Sequence, residues 1–437
     1  MWAETSVFYQ IYPLGFCGAP TENDGCTVPR IRKVLEWAEH IHRTGANAVY
    51  FSPVFQSDRH GYDTRDYRQI DCRLGTNRDF ADVCDELHRL GLRVVLDGVF
   101  NHVGRGFWAF QDVLAHRENS VYKDWFFLHF DRNDEYGDGL SYENWEGHSE
   151  LVKLNVGNPE VREHLFSCIR GWAEEFGIDG LRLDVAYCID RDFLHRLREF
   201  CGGLKPDFFL VGEMLFGDYN QLVNESMLHS CTNYECYKGL YSSFNERNLF
   251  EISYSLNRQF GQENWCLYRG KHLLCFADNH DVTRIASLLK EKRHLPLVYA
   301  VLFGMPGIPC IYYGSEWGAE GIKGNGSDTA LRPCFPEPQE NGLTELIARF
   351  AEIHKASRAL CFGGYRNILV TNRQLIFERA AERERILVAV NLDEADFDAH
   401  FDAGADRATD LITGLPVTLG GGRTLPAFSA VFWKISS

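Results

Sequence analysis

Eight times along this chain a short apolar run precedes an amphipathic stretch, and that alternation restricts the fold more than any other feature. The runs are 7–13 (VFYQIYP), 48–55 (AVYFSPVF), 93–100 (RVVLDGVF), 180–186 (GLRLDVA), 208–214 (FFLVGEM), 231–236, 273–278 (LLCFAD) and 308–313 (IPCIYY). Each reads as a strand. Between them, 30–44 carries Ile31, Val34, Leu35, Ala38 and Ile41 at helical spacing. A second helix is expected over 78–90, with Gly91 as its stop. Asn158 and Pro159 open another, as cap and first-turn residue. Helices are also expected over 190–200, 219–228, a long stretch to about 260, 282–304 and 343–357. Repeated βα units favour a parallel sheet, and eight of them suggest a closed (β/α)8 barrel; a doubly wound open sheet is the alternative. After residue 361 the runs NILVTN, QLIFER, RILVAVNL and SAVFWKI, separated by Gly and Asp turns, predict a small antiparallel β-sandwich domain.

At 437 residues the length fits one barrel plus a small domain. The expected division is barrel 1–102 and 158–360, an insertion at 103–157 after the third strand, and a β domain at 361–437. The net charge of −16 disfavours nucleic acid or an anionic membrane as partner, since both require a basic face. A neutral substrate is unaffected. No apolar run is long enough to cross a bilayer, and the N-terminus reads as a strand rather than a leader peptide. The 14 cysteines include no CxxC pair, and many fall inside predicted strands or helices, where they serve as small apolar residues. The chain therefore reads as reduced and cytoplasmic. The insertion at 104–147 holds 11 aromatic residues in 44; these are expected mainly to fill its own small core, with some left as platforms for a ligand.

In a (β/α)8 barrel the chemistry sits at the C-terminal strand ends. There the sequence places Asp97, Asn101 and His102 on the third unit, Arg182 and Asp184 on the fourth, Glu213 on the fifth, and Asn279, His280 and Asp281 on the seventh. The acids interrupt apolar strands, and burying a carboxylate without a role is costly. Arg182 and Asp184, two residues apart on a strand, point the same way, so the guanidinium is expected to keep Asp184 ionised. Glu213, with no adjacent basic residue, is expected to hold its proton. One ionised and one protonated carboxyl is the pair that glycoside hydrolysis needs. A metal hydrolase using Asp97, His102, His280 and Asp281 is the competing reading.

The segments DGVFNH (97–102), GIDGLRLDVA (177–186), LVGEM (210–214) and FADNHD (276–281) resemble, in order and spacing, the four signature regions of the α-amylase superfamily. HGYDTRDYRQID (60–71) resembles that family's loop with a stacking Tyr and an Asp, and PGIPCIYYGSEWGAEG (306–321) its eighth-strand region. The resemblance covers roughly residues 6–360. It implies Asp184 as nucleophile, Glu213 as general acid/base and Asp281 as a transition-state carboxylate, with Tyr62, Asp63, Asp97, His102, Arg182 and His280 lining the same subsite. The implied reaction is retaining hydrolysis of α-glucosidic, mainly α-1,4, bonds in maltooligosaccharides, cyclodextrins or starch fragments.

Family members often hold a calcium between barrel and insertion. Asn101 matches one of its ligands, but LVKLN (151–155) places Lys153 where the family has an Asp. An ammonium in place of a hard anionic ligand should abolish the site, so no metal or other cofactor is expected. The acidic DRNDEYGDG stretch (131–139) reads as a solvated turn, with a calcium ligand loop as the alternative. LVKLN with the upstream YENWEG is similar to the neopullulanase and cyclomaltodextrinase branch, while FADNHDVTR is more like general amylases. Members of that branch carry an extra N-terminal domain that builds a dimer; this sequence begins at the first barrel strand, so a monomer or weak oligomer is expected. An α-glucosyl transferase or phosphorylase would use the same motifs. A noncatalytic sugar-binding relative would have lost the acids, which are all present here.

Overall fold

The computed structural model describes every residue except Asn325 and Ser437. Eight parallel strands form its central sheet: β1 (Phe8–Ile11), β2 (Ala48–Phe51), β3 (Arg93–Gly98), β4 (Gly180–Leu183), β5 (Phe209–Gly212), β6 (Ser230–Cys231), β7 (Leu274–Phe276) and β8 (Ile308–Tyr312). Their hydrogen-bonded order is β6-β5-β4-β3-β2-β1-β8-β7. A parallel bridge between Thr232 and Leu274 brings β6 to β7 and nearly closes the ring. The strands are buried on both faces, as parallel strands covered by helices must be. The open doubly wound alternative is excluded by this order.

The helices are α1 (Lys33–Arg43), α2 (Asn77–Arg89), α3 (Pro159–Glu175), α4 (Arg191–Leu204), α5 (Tyr234–Asn245), α6 (Phe250–Phe260), α7 (Leu295–Gly304) and α8 (Gly342–Ala356). The Asn158 side chain caps α3 by accepting from the Glu160 amide. Three expected helices come out differently. Residues 219–228 form only a short turn at Tyr219–Gln221, because the Asn224 side chain takes the amides of Ser226 and Met227 and so competes with helical bonding. The stretch to about 260 is two helices, broken where Arg247 turns left-handed at φ 49°. Residues 282–304 hold a short helix at Ile285–Leu288 and then α7, which Pro296 starts afresh.

The C-terminal strands β9 (Gly364–Val370), β10 (Gln374–Ala381), β11 (Glu384–Asn391), β12 (Arg407–Asp410), β13 (Pro416–Thr418) and β14 (Ser429–Ile435) make one antiparallel sheet in the order β9-β10-β11-β14-β12-β13. One face packs Ile376, Leu387 and Trp433 with Phe401 and Leu425. A two-stranded ribbon, Phe397–Ala399 with Arg423–Leu425, contributes to that cluster. The other face packs Phe377, Val388 and Phe432 into the main core with Phe303 and Phe350.

Candidate active site

Strand register assembles the site. β4 lies between β3 and β5, so Arg182 faces Asp97 on one side and Val211 on the other. Glu213 follows Val211 by two residues and keeps its direction. Arg182 Nη1 donates to Asp97 at 3.0 Å and to Asp184 Oδ1 at 2.8 Å. Its Nη2 lies 2.8 Å from Glu213 Oε1. One guanidinium therefore gathers three carboxylates, all of them buried. The backbone after Asp184 turns sharply: Val185 adopts φ 38°, ψ 48°, a costly conformation for a β-branched residue. The turn aims the Val185 amide at Glu213 Oε2, 3.0 Å away. Local strain is thus tied to the placement of both acids.

The opposite wall comes from β1, β7 and the loop after β8. The Gln10 amide lies 2.8 Å from His280 Nδ1, and a donor there leaves the ring proton on Nε2. That nitrogen is 3.1 Å from Asp281 Oδ2 and also meets the Tyr62 hydroxyl. Tyr62 donates in turn to Asp97 Oδ2 at 3.1 Å, as Tyr50 does at 3.0 Å. Tyr12 and Tyr62 both stack on the His280 ring. Arg332 donates to Asp281 Oδ1 at 2.9 Å and to the His280 carbonyl at 3.0 Å. His102 Nε2 sits 3.8 Å from Asp184 Oδ2 and is buried with no hydrogen-bond partner.

The structure thus brings together Asp97, His102, Arg182, Asp184, Glu213, Tyr62, His280 and Asp281. Asp63 stands apart from that cluster, for its Oδ1 accepts the amides of His60 and Gly61, both at 3.1 Å. Its contacts fix the loop that carries Tyr62. Sequence reading missed Gln10, Tyr12 and Arg332. A glutamine inside a wholly apolar strand was the available signal for the first; Arg332, in an irregular loop, had none.

The electrostatics correct two expectations: Arg182 does not hold Asp184 low, and Glu213 is not without a basic partner. Glu213 does have a basic neighbour, because Arg182 reaches across the strands to it. Burial pushes the Asp184 carboxyl up to about 7 despite the pull of Arg182, with Glu213 adding to the rise. Asp97 is pushed up to about 7 in the same way, and burial raises Glu213 too. One cation cannot hold three buried carboxylates low. Burial also works to raise Asp281, but His280, Arg332 and Arg182 together hold it below the usual carboxylate range. Burial lowers His102 and His280 to about 3, so both rings are neutral.

A family profile described as "Alpha amylase, catalytic domain" matches residues 10–343. The chain belongs to the α-amylase family of glycoside hydrolases. It is 30% identical over 419 residues to a cyclomaltodextrinase of a Bacillus species, covering 90% of this chain and 74% of that one. It is 33% identical to neopullulanase 2 of Thermoactinomyces vulgaris over 84% of this chain and 65% of the relative. Among solved structures, the cyclic α-maltosyl-(1→6)-maltose hydrolase of Arthrobacter globiformis superposes with TM-score 0.84 at 27% identity over 100% of both chains. A cyclomaltodextrinase superposes with TM-score 0.88 at 28% identity, covering 100% of this chain and 78% of that one.

Within this α-amylase fold, Lys153 pairs with Glu143 at 3.1 Å and lies over the Phe127 ring. Two acids of the 131–139 stretch, Asp134 and Asp138, pair with Arg105, which also stacks on Tyr136. Among the described residues, no group of three or more His, Cys, Asp or Glu side chains is arranged to hold a metal ion. The competing metal set is used otherwise: Asp97 belongs to Arg182 and two tyrosines, and His280 to Gln10 and Tyr62. The insertion aromatics mostly pack on one another, as in Trp108–Trp125, Phe110–Phe126 and Phe110–Tyr142. No helix among the described residues is long and apolar enough to cross a membrane.

Proposed function

We propose that this enzyme hydrolyses α-glucosidic bonds, mainly α-1,4, in maltooligosaccharides, cyclodextrins or starch fragments, with retention at the anomeric carbon. The reading is carried by one observation: Asp184 and Glu213 share the Arg182 guanidinium, with Asp281 on the facing wall beside His280. The sugar-directed names of the relatives agree with it.

In the first step an Asp184 oxygen attacks the anomeric carbon. The C–O bond to the leaving sugar breaks as Glu213 delivers its proton to that oxygen. In the second step the Glu213 carboxylate takes a proton from water, whose oxygen attacks the same carbon and releases Asp184. Burial raises Glu213 and so favours its protonated form, which suits it to the first half. Asp281, held ionised by Arg332, holds sugar hydroxyls as the ring flattens and gains positive charge. Tyr62 stacks beside the sugar, and neutral His102 and His280 offer hydrogen bonds without repelling that charge. Asp97 and Asp63 act at one remove: Asp97 orients Arg182 and Tyr62, and Asp63 holds the Tyr62 loop.

A cytoplasmic setting is part of the same reading. All 14 cysteines are free thiols, and a Bacillus subtilis relative bears the name intracellular maltogenic amylase.

The test is product analysis by NMR on maltotriose, a cyclodextrin, pullulan, isomaltose and sucrose. An α-anomer as first product from the maltotriose and cyclodextrin incubations is expected. A β-anomer first would overturn retention, and no turnover of any α-glucoside would overturn the activity.

A further inference from the structure

Gln10 is the one residue of β1 without an aromatic or aliphatic side chain, and it is buried. An amide in such a strand is costly unless its hydrogen bonds are made. The Gln10 amide nitrogen has two partners: Ser52 Oγ at 3.2 Å, just past β2, and His280 Nδ1 at 2.8 Å.

The other side of the His280 ring fixes where its proton lies. Nε2 faces two acceptors. One is Asp281 Oδ2 at 3.1 Å, from a carboxylate whose other oxygen accepts from Arg332. The second is the Tyr62 hydroxyl oxygen, whose own proton goes to Asp97. Nε2 therefore carries hydrogen, and Nδ1 is the nitrogen that decides the charge. Bare, it leaves the ring neutral; protonated, it makes the ring a cation. Among the described residues, Gln10 is the group that hydrogen-bonds Nδ1. A flipped amide would set its oxygen against the Nδ1 lone pair, so the contact is satisfied by the amide N–H. Burial works the same way, as do the cations Arg332, Arg182 and Lys323, while the Asp281 carboxylate favours a proton on the ring. Tyr12 and Tyr62 cover the ring by stacking.

We propose that Gln10 is a positioning residue for His280. By donating to Nδ1 it holds the ring in the neutral Nε2–H form. The ring can then hydrogen-bond Asp281 and the reacting sugar without setting a cation beside the anomeric carbon. The proposal rests on the α-glucan reading above, in which that sugar gains positive charge.

Gln10→Glu exchanges the donor for an acceptor of the same length. A carboxylate against Nδ1 calls a proton to the ring, and the imidazolium then opposes the charge growing on the sugar. On maltotriose at pH 6, kcat should fall about 10- to 100-fold with KM within about threefold. The loss should narrow as pH rises and the ring sheds its extra proton, so the acid limb of the pH–rate profile moves upward. Gln10→Met removes the donor and adds no charge. It should cost about 3- to 10-fold in kcat, the worth of one neutral hydrogen bond, and leave the acid limb in place.

Nitrogen-15 NMR of histidine-labelled protein reads the ring without substrate, with His280→Gln assigning its signals. The wild type should carry hydrogen on Nε2 alone from pH 5 to 8, and Gln10→Glu on both nitrogens at pH 6. A wild-type proton on Nδ1 would overturn the proposal, and that result does not depend on either variant folding. So would equal losses of kcat in the two variants with the acid limb unmoved, which would make Gln10 a packing residue. If the wild type turns over no α-glucoside while Nε2 alone carries hydrogen, the α-glucan reading falls instead.

Discussion

At the residue scale, the carboxylates around Arg182 set both reactivity and pH response. Asp184→Asn should remove about 99.9% or more of turnover, because it deletes the proposed nucleophile. It should also stabilise the fold in a pH-dependent way. The folded Asp184 carboxyl titrates at about 7, against about 4 for an unfolded aspartate. Between those values the folded chain keeps a proton that the unfolded chain has released, so stability falls as pH rises through the window. The melting temperature of Asp184→Asn should exceed that of the wild type by several degrees at pH 8, with the gap closing toward pH 4. Arg332→Ala removes a charge-assisted bond to Asp281 and should cost about 10- to 100-fold in kcat. With less positive charge beside it, Asp281 should also protonate at higher pH, moving the acid limb of the pH–rate profile upward.

Most of this cluster was legible in the sequence because each acid interrupts an apolar strand at its C-terminal end. The state of the pair was not. Arg182 looks committed to Asp184 when only the spacing within one strand is considered. Its second nitrogen is directed by the neighbouring strand, and which strands are neighbours is a tertiary fact. Arg332 was invisible for the same reason, since nothing in ALRPCF announces that this loop folds back over His280.

At the scale of elements, the strands and the capped helices followed from local chemistry, and the failures came where a side chain bonds its own backbone, a residue turns left-handed or a proline restarts a helix. Asn158 reads as a cap and is one, so Asn158→Ala should cost about 1 kcal/mol in denaturant titration. Asn224 sits in a stretch of plausible helical spacing, yet its carboxamide oxygen collects three local donors and the helix never propagates. The Val185 turn was equally unreadable, because a valine gives no sign of a left-handed backbone. The structure holds it there through the Val185–Glu213 bond and the short helical turn that follows.

At the scale of the whole molecule, the barrel was legible from repetition alone, whereas the attachment of the C-terminal sheet was not. Phe377, Val388 and Phe432 belong to the same apolar core as Phe303 and Phe350. Buried Arg379 donates to the Gly304 carbonyl at the end of α7 and to Gly363. A side chain at Gly304 would approach Val388 to 2.9 Å, so sheet and helix touch without slack. Calorimetry should therefore show barrel and C-terminal sheet unfolding in one transition, and Gly304→Val should lower the melting temperature without a second peak appearing.

Asp97, Asp184 and Glu213 crowd one guanidinium away from solvent, and burial pushes the first two up to about 7, so negative charge builds up there only as pH rises toward that value. A cation placed beside these carboxylates would meet more negative charge at higher pH. A basic sugar mimic with a protonated ring nitrogen should bind more tightly as pH rises from 5 to 7, while its neutral oxygen counterpart shows no such gain.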